Sequence, residues 1–452
     1  MNVLLLNLPR YEGMPIEREE CCYGIPSANL PSHMAQISGF LKQAGISIDF
    51  YDANNRGTSF EEIKRIIKKI KPDLVISTVT VSYMPYEAQI ATICKKENIK
   101  CIAISCPFGY AEDLVKKYPF YFAIHSEPEQ VILDYLNTGK LENLKGIAYK
   151  DENGVHKTPS LEGNYSKMPQ IDVDLFDPKH YGSFFKYQYS RGCPYSCSFC
   201  VWSPLKWQIK NIEVVLDDLE SLYKKGLRTL HLLGAQISTN LNWTYKMLDG
   251  LEQRRIKVRW GGDIRSNEVN GDKHFLSRVK EGGCNWLLIG GESLSQNLLD
   301  GINKKQTVDQ IKNTINACYE EKIYLKSGII FNLEETMDDV KEYVDIIKDL
   351  KPFDFYPLMA RAEKGTPLYE KWYPDLDYVQ VKNWLVKIPT PPDLKNAQKR
   401  MDYFEKQTKS VKLQNRRRYR ILKLREVVGN LGFYSKLYSE GALRRLRIQK
   451  SV

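Results

Sequence analysis

Long apolar runs are missing from this sequence: none of its 452 residues belongs to a stretch approaching the roughly 18 to 20 consecutive apolar residues of a membrane span. The opening Met1-Asn2-Val3-Leu4-Leu5-Leu6 has no basic segment ahead of it and is broken by Asn7 and Pro9, which argues against a secretory signal. A cytoplasmic protein is the expectation. Histidine is scarce, six in all, and none of His33, His125, His156, His180, His231 and His274 stands at metal-ligand spacing from another His or from Cys. The ten cysteines are too few and too irregularly placed for a disulfide scaffold. Most of Cys94, Cys101, Cys106, Cys284 and Cys318 lie in apolar contexts where a thiol behaves as a small hydrophobe. The adjacent Cys21-Cys22 lies in a loop, within reach of a ligand. The net charge of +11 is concentrated at one end: Lys406 to Lys450 carries fourteen Lys and Arg against Glu426 and Glu440.

What is present is a stretch that organises the rest, Arg191-Gly192-Cys193-Pro194-Tyr195-Ser196-Cys197-Ser198-Phe199-Cys200. Three thiols spaced four and then three residues apart can converge on one inorganic cluster. Iron–sulfur clusters are usually held by four Cys thiolates, so three in one loop leave one iron open. Gly192 and Pro194 mark a turn rather than a helix interior. Structural zinc is the competing reading, but it takes four ligands in paired spacing, and no second pair lies downstream.

The C-x3-C-x2-C spacing, with an aromatic residue before the last Cys, resembles the signature of the radical S-adenosylmethionine (radical SAM) enzymes. The resemblance implies a [4Fe–4S] cluster on Cys193, Cys197 and Cys200 whose open iron is chelated by SAM. It also implies reductive cleavage of SAM to a 5′-deoxyadenosyl radical, with an external electron donor such as flavodoxin or ferredoxin.

At this length two domains and an extension are expected. Residues 1–150 alternate strand-like and helix-like segments, which implies an α/β domain with a parallel sheet covered on both faces. Its strand and helix order, Lys71-Pro72-Asp73-Leu74-Val75-Ile76-Ser77 and Ser126-Glu127-Pro128-Glu129 resemble the Rossmann-like cobalamin-binding domain that precedes the barrel in one large radical SAM subfamily, the class B methyltransferase-like one. Two departures stand out. Asn54, within Asp52-Ala53-Asn54-Asn55-Arg56-Gly57, replaces the cobalt-ligating His of many cobalamin proteins, and Ser105-Cys106-Pro107-Phe108-Gly109 replaces a Gly-Gly pair. Residues 151–184 read as a connector rich in turns.

From 185 to 375 about six βα units predict a partial (β/α)6 barrel, with functional groups at the carboxyl ends of its strands. Gly290-Gly291-Glu292-Ser293 resembles the subfamily's G-x-E-S element and is assigned to SAM. Glycine admits close approach, while Glu and Ser supply acceptors for an ammonium and ribose hydroxyls. Arg265 stands where the family has an Arg that could fork onto the SAM carboxylate. Gln236 occupies a strand end where relatives are often acidic. The alternatives are a glycine turn at a helix start for Gly290 to Ser293 and a surface ion pair for Arg265.

Residues 376–452 form a helical, basic extension. It is suited either to an anionic membrane surface or other polyanion, which would make the protein peripheral at a membrane, or to packing its apolar stripe on the barrel. The resemblance implies cobalamin-dependent C-methylation of an unactivated carbon in a small-molecule, lipid or peptide substrate. Elimination, rearrangement or deoxygenation with a vestigial cobalamin domain is a second reading. A non-catalytic membrane- or nucleic-acid-binding Fe–S protein is a third.

Overall fold

A computed structural model describes residues 2–16, 18, 29–203, 205–350, 353–373, 377–379, 388–390 and 393–428, without the side chains of 377–379, 388–390 and 416–428. Cys21-Cys22 and the tail beyond Val428 lie outside the described residues, as do the side chains of the Arg416 to Arg420 cluster. The chain forms two compact units. One comprises Met1–Leu175, Ser190–Asp218 and Ala360–Leu394; the other comprises Phe176–Tyr189, Leu219–Met359 and Lys395–Val452.

The first unit is built on seven strands: β1 Val3–Asn7, β2 Ile48–Asp52, β3 Leu74–Thr80, β4 Lys100–Cys106, β5 Phe122–Ile124, β6 Ile147–Asp151 and β7 Gly154–Lys157. They lie in the order β2-β1-β3-β4-β5-β6-β7. The pairs from β2 to β5 are parallel, and β6 and β7 add an antiparallel hairpin. The continuous apolar runs of β1 and β3 are buried throughout, as strands covered on both faces must be. Alternate residues feed two cores. Leu4, Leu6, Val75 and Ala103 pack on one face, and Val3, Leu5, Ile76 and Ile102 on the other. The chain reverses its direction of winding between β1 and β3, the place where ligands of open α/β sheets bind. The sequence reading missed the hairpin, so the sheet runs past residue 150 to Lys157.

Two short strands, β8 Phe184–Gln188 and β9 Ser190–Arg191, come next, one at the end of the second unit's first segment and one in the first unit. β9 pairs antiparallel with β10 Gln208–Ile209, and this ladder closes the cysteine loop.

The second unit continues with β11 Thr229–Leu233, β12 Arg259–Ile264, β13 Cys284–Glu292, β14 Tyr324–Phe331 and β15 Asp354–Met359. With β8 they form a six-stranded parallel sheet in simple chain order, with β8 and β15 as its edges. Phe185, Tyr187, Leu230, Leu232, Leu287 and Ile289 are buried. The alternate positions carry mostly polar groups in register: Lys186 beside His231, and Asp263, Lys326 and Asp354 in one row that the apolar Leu288 interrupts.

The helix Leu394–Val428 packs on the β15 edge. Phe404 meets Phe331 and Phe355 at ring-centroid distances of 5.3 and 5.8 Å, and Arg400 donates to Glu335 at 2.9 Å. Phe404 of this helix thus packs on β14 and β15. No helix among the described residues is long and apolar enough to cross a membrane.

Candidate active site

The cysteine loop begins with Gly192 at φ +67°, where a Cβ would stand 2.4 Å from the Lys206 carbonyl oxygen. Only glycine fits that turn. The Cys193 N–H donates to Leu205 O at 3.4 Å, the Cys200 N–H to Cys197 O at 3.1 Å, and the Ser203 N–H to Cys200 O at 3.2 Å. Cys197 is buried, Cys193 and Cys200 are half-buried, and none of the eight described cysteines forms a disulfide. Among the described residues no three of His, Cys, Asp and Glu are grouped to hold one metal ion. A single zinc ion needs its ligands crowded around it at ~2.0–2.3 Å. A cube of iron and sulfide spaces its thiolates more widely, and three thiols without carboxylate or imidazole are a donor set that suits it. Elsewhere burial pushes the Cys284 thiol up to about 12 and raises Cys318 and Cys101 as well, so these thiols stay protonated.

The loop is fastened at its base within the first unit. Arg191 forks onto Glu129 at 2.8 and 2.6 Å, donates also to Glu127, and lies over the Tyr165 ring at 4.4 Å. Burial works against the Glu129 carboxylate, yet the Arg191 charge and hydrogen bonds outweigh it and hold the carboxyl below its usual range. Lys210, fully buried, donates to Asp218 at 3.0 Å and to Gln36 at 2.9 Å. The Ser198 carbonyl, between the second and third cysteines, accepts the Leu368 N–H at 2.9 Å. The clamp was half visible beforehand: Glu127 and Glu129 stand in the Ser-Glu-Pro-Glu segment, but nothing in their spacing points to Arg191, 62 residues on from Glu129.

In the second unit Glu292 ends β13 at φ +54° and pairs with Lys304 at 2.8 Å. Gln306 donates to the Gly290 carbonyl at 2.6 Å. Arg265 is buried; its guanidinium donates to Asn267 at 2.9 Å and to the Lys304 carbonyl. Arg265, Glu292 and Gly290 are thereby joined through the 304–306 segment, which sequence reasoning passed over because Lys304 and Gln306 lie in an irregular connection. Gly291 is closely packed, a Cβ there falling 2.4 Å from Ser327 Oγ. The Ser293 hydroxyl lies 2.6 Å from Tyr343 OH, so it braces the turn. Gln236 precedes a single helical turn, half-buried, and accepts from Thr239 at 3.3 Å.

At the winding reversal of the first unit the side chains are already engaged. Arg18 donates to Glu87 at 2.8 Å, and Glu87 accepts the Thr80 N–H at 2.6 Å. Asn54 is buried with both ends of its amide on Ile16, Oδ1 accepting at 2.9 Å and Nδ2 donating at 3.1 Å. It is a strut between two loops.

Residues 187–347 match the Radical SAM superfamily. The chain is 26% identical over 359 residues to an uncharacterised methyltransferase of Pyrococcus horikoshii, covering 75% of this chain and 78% of that one. It is 27% identical over 354 residues to the anaerobic magnesium-protoporphyrin IX monomethyl ester cyclase of Rubrivivax gelatinosus, covering 71% of this chain and 62% of the cyclase. The fold resembles that of the cobalamin-dependent SAM radical enzyme OxsB, with a TM-score of 0.74 at 18% identity over 88% of this chain and 65% of OxsB. The chain thus spans less than two thirds of the cyclase and of OxsB. The three-cysteine loop that follows β8 lies inside the segment from 187 to 347 that matches the Radical SAM superfamily, and this segment is where the chain is similar to that family.

Proposed function

We propose that the protein cleaves SAM reductively at a [4Fe–4S] cluster on Cys193, Cys197 and Cys200 and uses the resulting radical for cobalamin-dependent methylation of an unactivated carbon. The cysteine loop carries this reading: Cys193, Cys197 and Cys200 lie on one tethered turn and none of them is in a disulfide. When bound, the cluster supplies one electron to the SAM sulfonium, and cobalamin supplies a carrier for the methyl group. Gly192 lets the chain turn into the loop without a side chain in the way. On the SAM side, the Glu292 carboxylate, steadied by Lys304, is suited to an ammonium, and Arg265 to a carboxylate once its own hydrogen bonds exchange. Gln236 at the end of β11 offers an amide to ribose or substrate. An external one-electron donor and a reducing compartment are required. The similarity of the fold to OxsB supports the cobalamin half of the reading.

A second reading keeps the radical and drops methyl transfer. The spent amide of Asn54 and the Arg18–Glu87 pair at the winding reversal favour it, since these groups already have partners where a ligand would need them. Anaerobic reconstitution with iron and sulfide, followed by dithionite and SAM, should give 5′-deoxyadenosine, and Cys197→Ala should reduce it to background. Equal yield from Cys197→Ala would sink the cluster assignment. Reconstitution with cobalamin should change the visible spectrum, and the product of the methylation reading is heavier than its substrate by one methylene.

A further inference from the structure

Gly192, between Arg191 and the first cysteine, is held in a left-handed turn packed closely against the Leu205 and Lys206 carbonyls, so the direction in which Cys193 leaves the sheet follows from how Arg191 is held. Arg191 is held more firmly than strand pairing requires. Its two-residue ladder with Gln208 and Ile209 is short, yet its guanidinium makes a two-bond fork on Glu129 and a third bond on Glu127. Tyr165 closes its face at 4.4 Å. The Arg191 side chain is 9% exposed, Glu129 not at all and Glu127 16%. Burying three charges is costly, and an apolar cluster of similar volume would hold two elements together at least as well. What an apolar cluster lacks is direction: a forked guanidinium fixes both position and angle. The far side of the loop is fixed the same way. Gln208 Oε1 accepts the Tyr165 N–H at 2.7 Å, and its Nε2 donates to Gly163 O at 2.9 Å. Tyr165 therefore touches both ends of the cysteine loop, one through its ring and one through its backbone.

We propose that Arg191 is a positioning residue for the cluster, its guanidinium forked on Glu129 and Glu127 setting the orientation in which the cysteine loop presents its open iron to SAM. This rests on the cluster reading above. Glu127 immediately precedes the helix Pro128–Thr138 and Glu129 lies in its first turn, so the loop takes its orientation from the amino-terminal sheet and not from its own short ladder.

The test uses the full chain, reconstituted anaerobically with iron and sulfide, with iron content, melting temperature and the EPR spectrum of the dithionite-reduced protein measured with and without SAM. Arg191→Lys keeps the charge and removes the fork. Expected are wild-type melting temperature and iron content, loss of the SAM-induced change in the EPR spectrum, and SAM cleavage slower by on the order of 10- to 100-fold, the size of a misplaced reacting group. A variant with full iron, the wild-type EPR response and the wild-type cleavage rate overturns the proposal. So does a fall in melting temperature that accounts for all the lost iron, because the clamp is then only part of the core. If Arg191→Lys does not fold, Glu127→Ala decides, since it removes one bond and spares the fork on Glu129. A changed EPR response at unchanged melting temperature supports the proposal, and an unchanged response overturns it. Wild-type protein that takes up no four-iron cluster would refute the cluster reading itself, which is a separate result from a clamp that does nothing.

Discussion

His231 stands in the middle of β11 with its ring edge-on to Trp286, centroids 4.6 Å apart, and its Nε2 buried without a hydrogen-bond partner. Burial first, then the nearby positive charges of Lys186 and Lys326, hold it well below the usual histidine range. The folded protein therefore refuses a proton that the unfolded chain accepts near pH ~6.5. Where the unfolded state binds more protons, stability rises with pH, so the stability linked to His231 is complete above ~6.5 and is lost as pH falls below it. Thermal unfolding at several pH values should show the wild type losing more stability than His231→Leu between about pH 7 and 5. His125, also lowered, by burial and by Lys157, contributes equally to both chains and cancels in the comparison. Parallel curves would show that another group carries the acid sensitivity. At this scale the sequence spoke unevenly. Three cysteines in ten residues are visible as a unit because a single turn can gather them, whereas Asn54 and Ser293 sit at suggestive positions yet face Ile16 and Tyr343. Spacing shows which residues share a turn, not which neighbour from a distant segment claims the side chain.

Element boundaries were clearest where a helix starts with its own chemistry. Ser59 and Glu62, Thr307 and Gln310, and Thr336 and Asp339 form reciprocal caps, and the helices they open begin at Phe60, Val308 and Met337. The strand β12 runs on through Gly261-Gly262, a pair that locally reads as a break. It continues because the missing side chain of Gly261 is filled by a neighbour: a Cβ there would fall 2.0 Å from the Trp286 ring, across the strand pair. Packing overrides propensity, and no local pattern reveals it. Gly261→Ala should accordingly overpack the sheet and cost about 3 kcal/mol, the upper part of the range for extra carbons in a filled core. Urea unfolding would measure it, with Gly301→Ala, which has open space, as the reference expected to change little. Equal midpoints for the two variants would mean that Trp286 can move aside. The short strands β5 and β7 were missed because three or four residues carry too little alternation to stand out from a turn-rich stretch.

On the scale of the whole molecule, the two compact units are not filled one after the other along the chain. The first unit reclaims Ala360–Leu394 after the barrel strands are finished, and that return segment bears on the cysteine loop. Tyr110 donates to Glu363 at 3.1 Å, Lys364 to Asp113 at 3.0 Å, and the Leu368 N–H to the Ser198 carbonyl at 2.9 Å. The route from β4 to the loop depends on Gly109, where a Cβ would meet the Lys364 carbonyl oxygen at 2.3 Å. That oxygen is backbone and cannot swing away, unlike the end of a side chain. Gly109→Ala should therefore push residues 363–368 outward and weaken the bond that Leu368 gives to Ser198, while the seven-stranded sheet, whose cores include the neighbouring Tyr110 and Ala111 but not Gly109, stays folded. The expected result is near-wild-type far-ultraviolet dichroism together with faster loss of iron from the reconstituted protein under a chelator. Iron held as long as in the wild type would mean that the loop stands without its tie to Leu368. Unfolding of the whole chain would mean that Gly109 serves the core of the first unit rather than the cluster.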